Sequence, residues 1–224
     1  MRSQSLIIAP AIAIGFSRQA GKGHRMKRLH RPLAALMMLC LMTAARAQKV
    51  VIDEEDQTNP NGTQFVGSAV WRAERVAPGP GQKPDVIVRA EIELPEQRVQ
   101  VRWSLRRNDD KQFPASHAIE IVFTLPPDFP HRGISNIPGI LVRQGQTARG
   151  VPLNGVAINT ATNFFLIGLS SIDVDMQRNV RLLKERSWFD ILVVYSDRKR
   201  ATIGIEKGIP GERAFAEAFA MWGQ

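Results

Sequence analysis

Two consecutive runs, Asp85–Leu94 and Arg98–Arg106, constrain the fold of this chain more than any other feature. In the first, DVIVRAEIEL, the apolar Val86, Val88, Ala90, Ile92 and Leu94 alternate with Arg89, Glu91 and Glu93. In the second, RVQVRWSLR, Val99, Val101, Trp103 and Leu105 alternate with Gln100, Arg102 and Ser104. Side chains of an extended strand point to opposite faces in turn, so each run has one apolar and one polar face. With only Pro95-Glu96-Gln97 between them, the runs predict an antiparallel hairpin. Its outer face brings Glu91 and Glu93 near Arg98, Arg102 and Arg106. Exposed pairs of this kind are worth about 0 to 1 kcal/mol each and tune register more than stability.

The apolar face of such a hairpin needs further strands, and the chain supplies candidates. His117–Leu125 (HAIEIVFTL), Ile137–Val142, Val156–Thr160 and Asn163–Leu169 (NFFLIGL) follow it. The last is apolar throughout and is expected at the centre of the core. Phe65–Val76 reads as a first strand, cut off from the hairpin by APGPGQKP, Ala77–Pro84, whose Pro and Gly residues cannot continue a ladder. Asp173–Lys184 has only approximately helical spacing and reads as a short helix or turn. The closing stretch, Ser187–Trp222, gives a strand with Trp188, Ile191, Val193 and Tyr195, a turn at Asp197-Arg198-Lys199, and a strand with Ala201, Ile203 and Ile205. A break at Gly208, Pro210 and Gly211 precedes a helix over 212–222, where Phe215, Ala218, Phe219 and Trp222 share one face. The expected fold is mainly β: an antiparallel β-sandwich closed by a C-terminal amphipathic helix, over residues 85–224.

Charge separates the chain into unlike parts. The 224 residues carry a formal net charge of +9, which by itself suggests a nucleic-acid partner. Eight of the 30 Lys and Arg residues, however, lie in residues 1–47, which hold no Asp or Glu. From Gln48 onward 22 basic residues face 21 acidic ones, so the body is nearly neutral and nucleic acid is not an expected partner. Met26–Gln48 instead has the three parts of a secretory signal: Lys27, Arg28 and Arg31, an apolar stretch over 32–43, and the small-x-small Ala45-Arg46-Ala47. The apolar stretch falls short of the roughly 20 residues needed to span a bilayer. Cleavage after Ala47 and a periplasmic mature chain without a transmembrane span are expected. Residues 1–25 displace the signal from the terminus and read as an extension upstream of the true start. The one cysteine, Cys40, lies inside the signal, so the mature chain depends on an apolar core and not on disulfides.

Residues 48–84 then read as a leader and linker. QKVVIDEEDQTNPN, over 48–61, is acidic and turn-rich and is expected to be mobile. The bunched Asp53, Glu54, Glu55 and Asp56 lack the spacing of a calcium loop and read as a solvated run.

Chemistry-bearing constellations are sparse. The mature histidines are His117 and His131, and no Gly-x-Ser-x-Gly elbow is present. Ser116 and His117 are neighbours on a strand and are expected to point to opposite faces. No His-x-x-x-His, thiolate set or Walker spacing occurs, and Asp173 with Asp175 reads as a helix start, so neither metal nor cofactor is expected. The candidate interaction patch joins the basic turn Arg198-Lys199-Arg200 to the residues His131, Arg132, Arg143 and Arg149 of the irregular stretch 126–155. Such a patch suits an anionic lipid surface or an acidic envelope protein.

A strand, turn and second strand ending in Lys207-Gly208, then a helix with Phe215-Ala216 and Ala218-Phe219, resembles the C-terminal pattern of the invasion-associated locus B family. The resemblance covers the last third of the chain, on 189–195, 200–208, Phe215, Ala216 and Ala218, and the family's cysteines are missing here. It implies a secreted, non-enzymatic periplasmic β-sandwich protein of the envelope and transfers no catalytic residue. Two functions are expected from these readings: an envelope binding or adaptor module, or a periplasmic hydrolase or small-ligand-binding protein with a cleft under the 126–155 loop.

Overall fold

The computed structural model describes residues 47–56, 59–77 and 84–224. The signal at 26–47, the extension at 1–25 and the centre of the Pro/Gly linker lie outside the described residues, Ala47 excepted. The described chain forms eleven strands and two α-helices: β1 Gln48–Asp56, β2 Asn59–Val76, β3 Asp85–Leu94, β4 Val99–Arg107, β5 Ala115–Thr124, β6 Ile134–Arg143, β7 Val151–Pro152, β8 Gly155–Ala161, β9 Phe164–Ser170, α1 Asp173–Glu185, β10 Trp188–Tyr195, β11 Arg200–Glu206 and α2 Gly208–Trp222. The fold is mainly β, with a C-terminal helix, as the alternation required.

The alternating runs of 85–94 and 98–106 form the hairpin β3–β4. Its register sets Val88 against Leu105, Ala90 against Trp103, Ile92 against Val101 and Leu94 against Val99, so both apolar faces coincide. Of the expected outer pairs, Glu91 meets Arg102 at 3.2 Å. Arg106 instead pairs with Glu120 of β5, and Arg98 with Asp128 beyond it.

Two expectations need correction. The strands do not form the two stacked sheets of a sandwich; they form one antiparallel sheet in the order β7-β6-β10-β11-β1-β2-β3-β4-β5-β9-β8. Laid flat, eleven strands at about 4.8 Å spacing would put the two edges about 48 Å apart. The edge strands β7 and β8 are nevertheless joined by Leu153 and Asn154 alone, which reach about 10 Å, so the sheet has to curl into a half-barrel. The second correction concerns residues 48–61. They are not a leader: β1 lies mid-sheet between β11 and β2, with Val50, Val51 and Ile52 buried. Three apolar residues in an acidic stretch are a weak local signal, and the long-range ladders on both sides decide the outcome. Among the described residues the sheet therefore takes in β1 and β2 and is not confined to 85–224.

The core fills the concave side. Trp71, Trp103, Phe189 and Phe215 lie in mutual contact, with ring centroids 5.3 to 6.0 Å apart. Phe215 belongs to α2, whose Ala214, Phe215, Ala218, Phe219 and Trp222 are all buried, as the helical spacing predicted. The helix starts earlier than expected, at Gly208, because Pro210 is tolerated in a first turn. Gly211 permits its close seat: a Cβ there would lie 2.7 Å from Lys207 Cγ and 3.2 Å from Trp71 Cγ. Trp222 is tied by its indole N–H to Asp85 Oδ1 and the Val86 carbonyl at 3.0 and 3.1 Å. Strand β9 lies next to the edge and not at the centre: Phe165, Ile167 and Leu169 are buried, while Phe164 and Leu166 face outward, half-buried.

Candidate functional site

Alternation along β1 aims Val50, Ile52 and Glu54 to the concave side, which places a carboxylate at the end of the sheet remote from α2. Three further segments converge on it. Tyr195, the last residue of β10, donates its hydroxyl to Glu54 Oε1 at 2.6 Å, and Gln97 donates to the same oxygen at 2.8 Å. His131, from the loop between β5 and β6, stacks flat on Tyr195 with centroids 4.1 Å apart. Its Nε2 is 3.5 Å from Glu54 Oε2 and its Nδ1 is 2.7 Å from Asp197 Oδ2. Phe129 closes over this network, edge-on to both His131 and Tyr195.

The electrostatics follow from these partners. Burial, then the bond to Glu54 and the charges of Glu54 and Asp197, push the Tyr195 phenol far above its ordinary range, so it stays a donor. Partial burial pushes Asp197 upward but is outweighed by the bond from His131, the Lys199 N–H and the charges of both residues, which together hold its carboxyl low. The void beneath, lined by Ile52, Leu94, Phe123, Phe129, Val193 and Ile203 among others, is about 10 Å³, at most the room of one water. The network's geometry makes it a clamp that fastens the 126–133 loop to the β10–β11 turn.

The clamp carries a cationic rim. The Ser196 N–H donates to the Gly133 carbonyl at 3.0 Å, so Arg132 stands beside Arg198, Lys199 and Arg200, all four exposed. Arg132 and Arg198 are both in the left-handed region, at φ 62° and 71°, which non-glycine residues seldom occupy. Continuing the β1–β11 register sets Glu55 opposite Arg200, so the acidic strand end tempers one side of the rim.

The remaining two members of the expected patch are elsewhere. Arg143 ends β6 opposite Trp188, at the far end of a ten-residue strand from Ile134, which pairs with Tyr195. That length is about 30 Å. Arg143 is bound to Asp190 through two 2.7 Å contacts and lies over the Trp188 ring. Burial pushes the Asp190 carboxyl up, and Arg143 reverses this only in part. Arg149 is exposed in the loop after β6. Sequence proximity within 126–155 joined residues that the ten-residue span of β6 separates.

His117 and Ser116 also depart from expectation. A bulge between Ala115 and His117 turns Ser116 toward its neighbour, and Ser116 Oγ lies 3.2 Å from His117 Nδ1. His117 Nε2 bonds Gln224 Oε1 at 3.0 Å. The ring is wholly buried against Phe219 and Trp222, and burial pushes its pKa down, opposed by the Gln224 bond and helped by the Arg107 charge. His117 is thus a packed core residue.

Three features escaped the sequence reading. An open groove of about 450 Å³ runs along the outside of the β3–β4 turn, between Leu94, Arg98, Val99, Leu125 and Pro126; neither histidine lines it. Lys207 is buried, with Nζ donating to the Leu183 and Lys184 carbonyls at the end of α1 and lying 4.6 Å from the Phe215 ring centre. Burial pushes it down to about 8, against the attraction of Glu212. Third, the 23 residues from Gly150 to Ile172 contain no ionisable side chain in a chain that is 23% charged, and they hold both β8 and β9. Val156 and Ile158 of β8 are 69% and 46% exposed. The uncharged run was readable; that it forms a sheet edge was not.

Among the described residues no group of three or more His, Cys, Asp or Glu is placed to hold a metal ion, and no helix is long and apolar enough to cross a membrane. Neither a family model, nor a curated protein, nor a solved structure matches this chain.

Proposed function

We propose that this chain is exported to the periplasm, cleaved after Ala47, and acts there without catalysis as a binding module that docks its cationic rim on an anionic envelope surface. The observation that carries the reading is the rim itself. Arg132, Arg198, Lys199 and Arg200 sit on two turns locked together by the 2.7 Å His131–Asp197 contact, so four cations are presented on a fixed support. A backbone already held in place has little freedom of its own to lose when the rim meets an anionic surface. Cleavage after Ala47 fits the fold, because Gln48 is already paired with Ala69 as the first residue of β1. The resemblance of the last third of the chain to the invasion-associated locus B family points the same way.

The hydrolase or ligand-binding alternative needs a cleft under the 126–155 loop. Phe129 and His131 fill that position, and the groove outside it brings together Glu93, Arg98, Gln100 and Thr124 without a nucleophile–base pair.

Sedimentation with vesicles tests the docking. The mature chain is expected to pellet with phosphatidylglycerol-containing vesicles at low salt, to be released by high salt, and to stay in solution with phosphatidylcholine alone. Replacing Arg132, Arg198 and Lys199 by Glu should abolish pelleting while leaving thermal stability unchanged. Equal pelleting of that variant, or binding indifferent to lipid charge, overturns the docking. A periplasmic chain whose mass starts upstream of Met26 overturns the export reading.

A further inference from the structure

Among the described residues, strand β8 is bonded to β9 on one side and to no strand on the other. The cause lies in β6. The β6–β7 register, Leu141 with Pro152 and Val142 with Val151, is extended by the Leu153 N–H to the Ile140 carbonyl. Carried two steps further it would set Pro138 against Gly155. Pro138 has no N–H to give, and the ladder ends there. β8 leaves β6 and pairs only with β9. The edge at β7 is two residues long and contains proline, which blunts it. The β8 edge has none of the usual guards: it has seven residues, no proline, no charge, and two aliphatic side chains, Val156 and Ile158, aimed outward on one face.

We propose that this edge is where a second copy of the chain joins, β8 to β8 and antiparallel, about a twofold axis at Ala157. A twofold contact brings each group of a surface against the same surface of its partner, so a charged strip would repel itself. The stretch from Gly150 to Ile172, with no ionisable group, meets that condition. An antiparallel edge is also its own complement under a twofold axis, because the partner's strand necessarily runs the opposite way. With Ala157 on the axis, Val156 of each copy stands across from Ile158 of the other, and Gly155 across from Asn159. Both exposed aliphatics are then covered twice, as cross-strand pairs on one face. Shifting the axis to Ile158 would set Val156 against Thr160 and cover less.

The chain has a single cysteine, Cys40, so a Cys40→Ser background leaves any introduced thiol unambiguous. In that background Ala157→Cys is expected to form a disulfide-linked dimer under mild oxidation, while Gln100→Cys, on the exposed face of β4, stays monomeric. Sedimentation velocity on the otherwise unaltered chain should show a concentration-dependent dimer, and Val156→Lys with Ile158→Lys should return it to monomer while keeping the melting temperature that the unaltered chain has at dilutions where it too is monomeric. A chain that stays monomeric at its highest soluble concentration overturns the proposal. So does Ala157→Cys linking no faster than Gln100→Cys, or a dimer that survives both lysines.

Discussion

The α2 end of the curled sheet and the His131 end are closed by different physics, and their ionisable groups show it. At the α2 end, aromatic and aliphatic contact excludes water, and the groups caught inside are held toward neutrality. Burial pushes His117 down and pushes Lys207 to about 8. At the His131 end, closure is polar: Gln97 and Tyr195 both donate to Glu54, while His131 stacks on Tyr195, lies 3.5 Å from Glu54 and bonds Asp197. There Asp197 is held charged by its partners, while Tyr195 is held as a donor. An apolar plug shifts its titratable groups toward their neutral forms; a polar clamp needs them in defined states.

The largest effect that could break this contrast comes from removing the plug's outermost ring. Trp222→Ala, or a chain ending at Ala220, should lose about 3 to 5 kcal/mol in denaturant unfolding. Equal stability would show that α2 is not docked as described. Tyr195→Phe deletes one hydroxyl and leaves the Glu54 carboxylate short of a donor, an expected loss of about 1 to 3 kcal/mol. Its loss should fall on the 126–133 loop first, whereas the Trp222 loss should be global.

The pH dependence separates the two ends by its sign. His117 has a folded pKa below its unfolded 6.5, so its contribution is present above 6.5 and is lost as pH falls through the folded value. Lys207, lowered from 10.5 to about 8, makes the folded state gain stability as pH rises between those limits. Tyr195, raised above 10.0, makes it lose stability as pH rises past 10.0. Melting curves of Lys207→Met should lack the gain above pH 8, and those of Tyr195→Phe should lack the alkaline loss. Unchanged profiles in both variants would remove the electrostatic half of the contrast.

The α2 end was legible in the sequence because its signals are local. Phe215, Ala218, Phe219 and Trp222 announce their shared face by spacing alone, and the β3–β4 alternation fixes which residues face them. The clamp was not legible. Glu54, Gln97, His131 and Tyr195 come from four separate segments, and only the place of β1 beside β11 brings them together. In the sequence His131 reads as one cation of a patch and Glu54 as one of a solvated acidic run; in the fold they are internal fasteners of one network. Their meaning depends on β1 being a central strand, which Val50, Val51 and Ile52 signal too weakly to outweigh Asp53 to Asp56. The curl of the sheet was hidden for a similar reason: it follows from Leu153 and Asn154 joining two edges, and edges exist only once all ladders are known.

The central claim, that one end is a polar clamp independent of the apolar plug, is tested most directly by hydrogen exchange on Glu54→Ala. The account predicts faster exchange in peptides covering 126–133 and 195–200, with protection over 211–222 unchanged. Exchange that rises equally over 211–222, or that leaves 126–133 untouched, would contradict it.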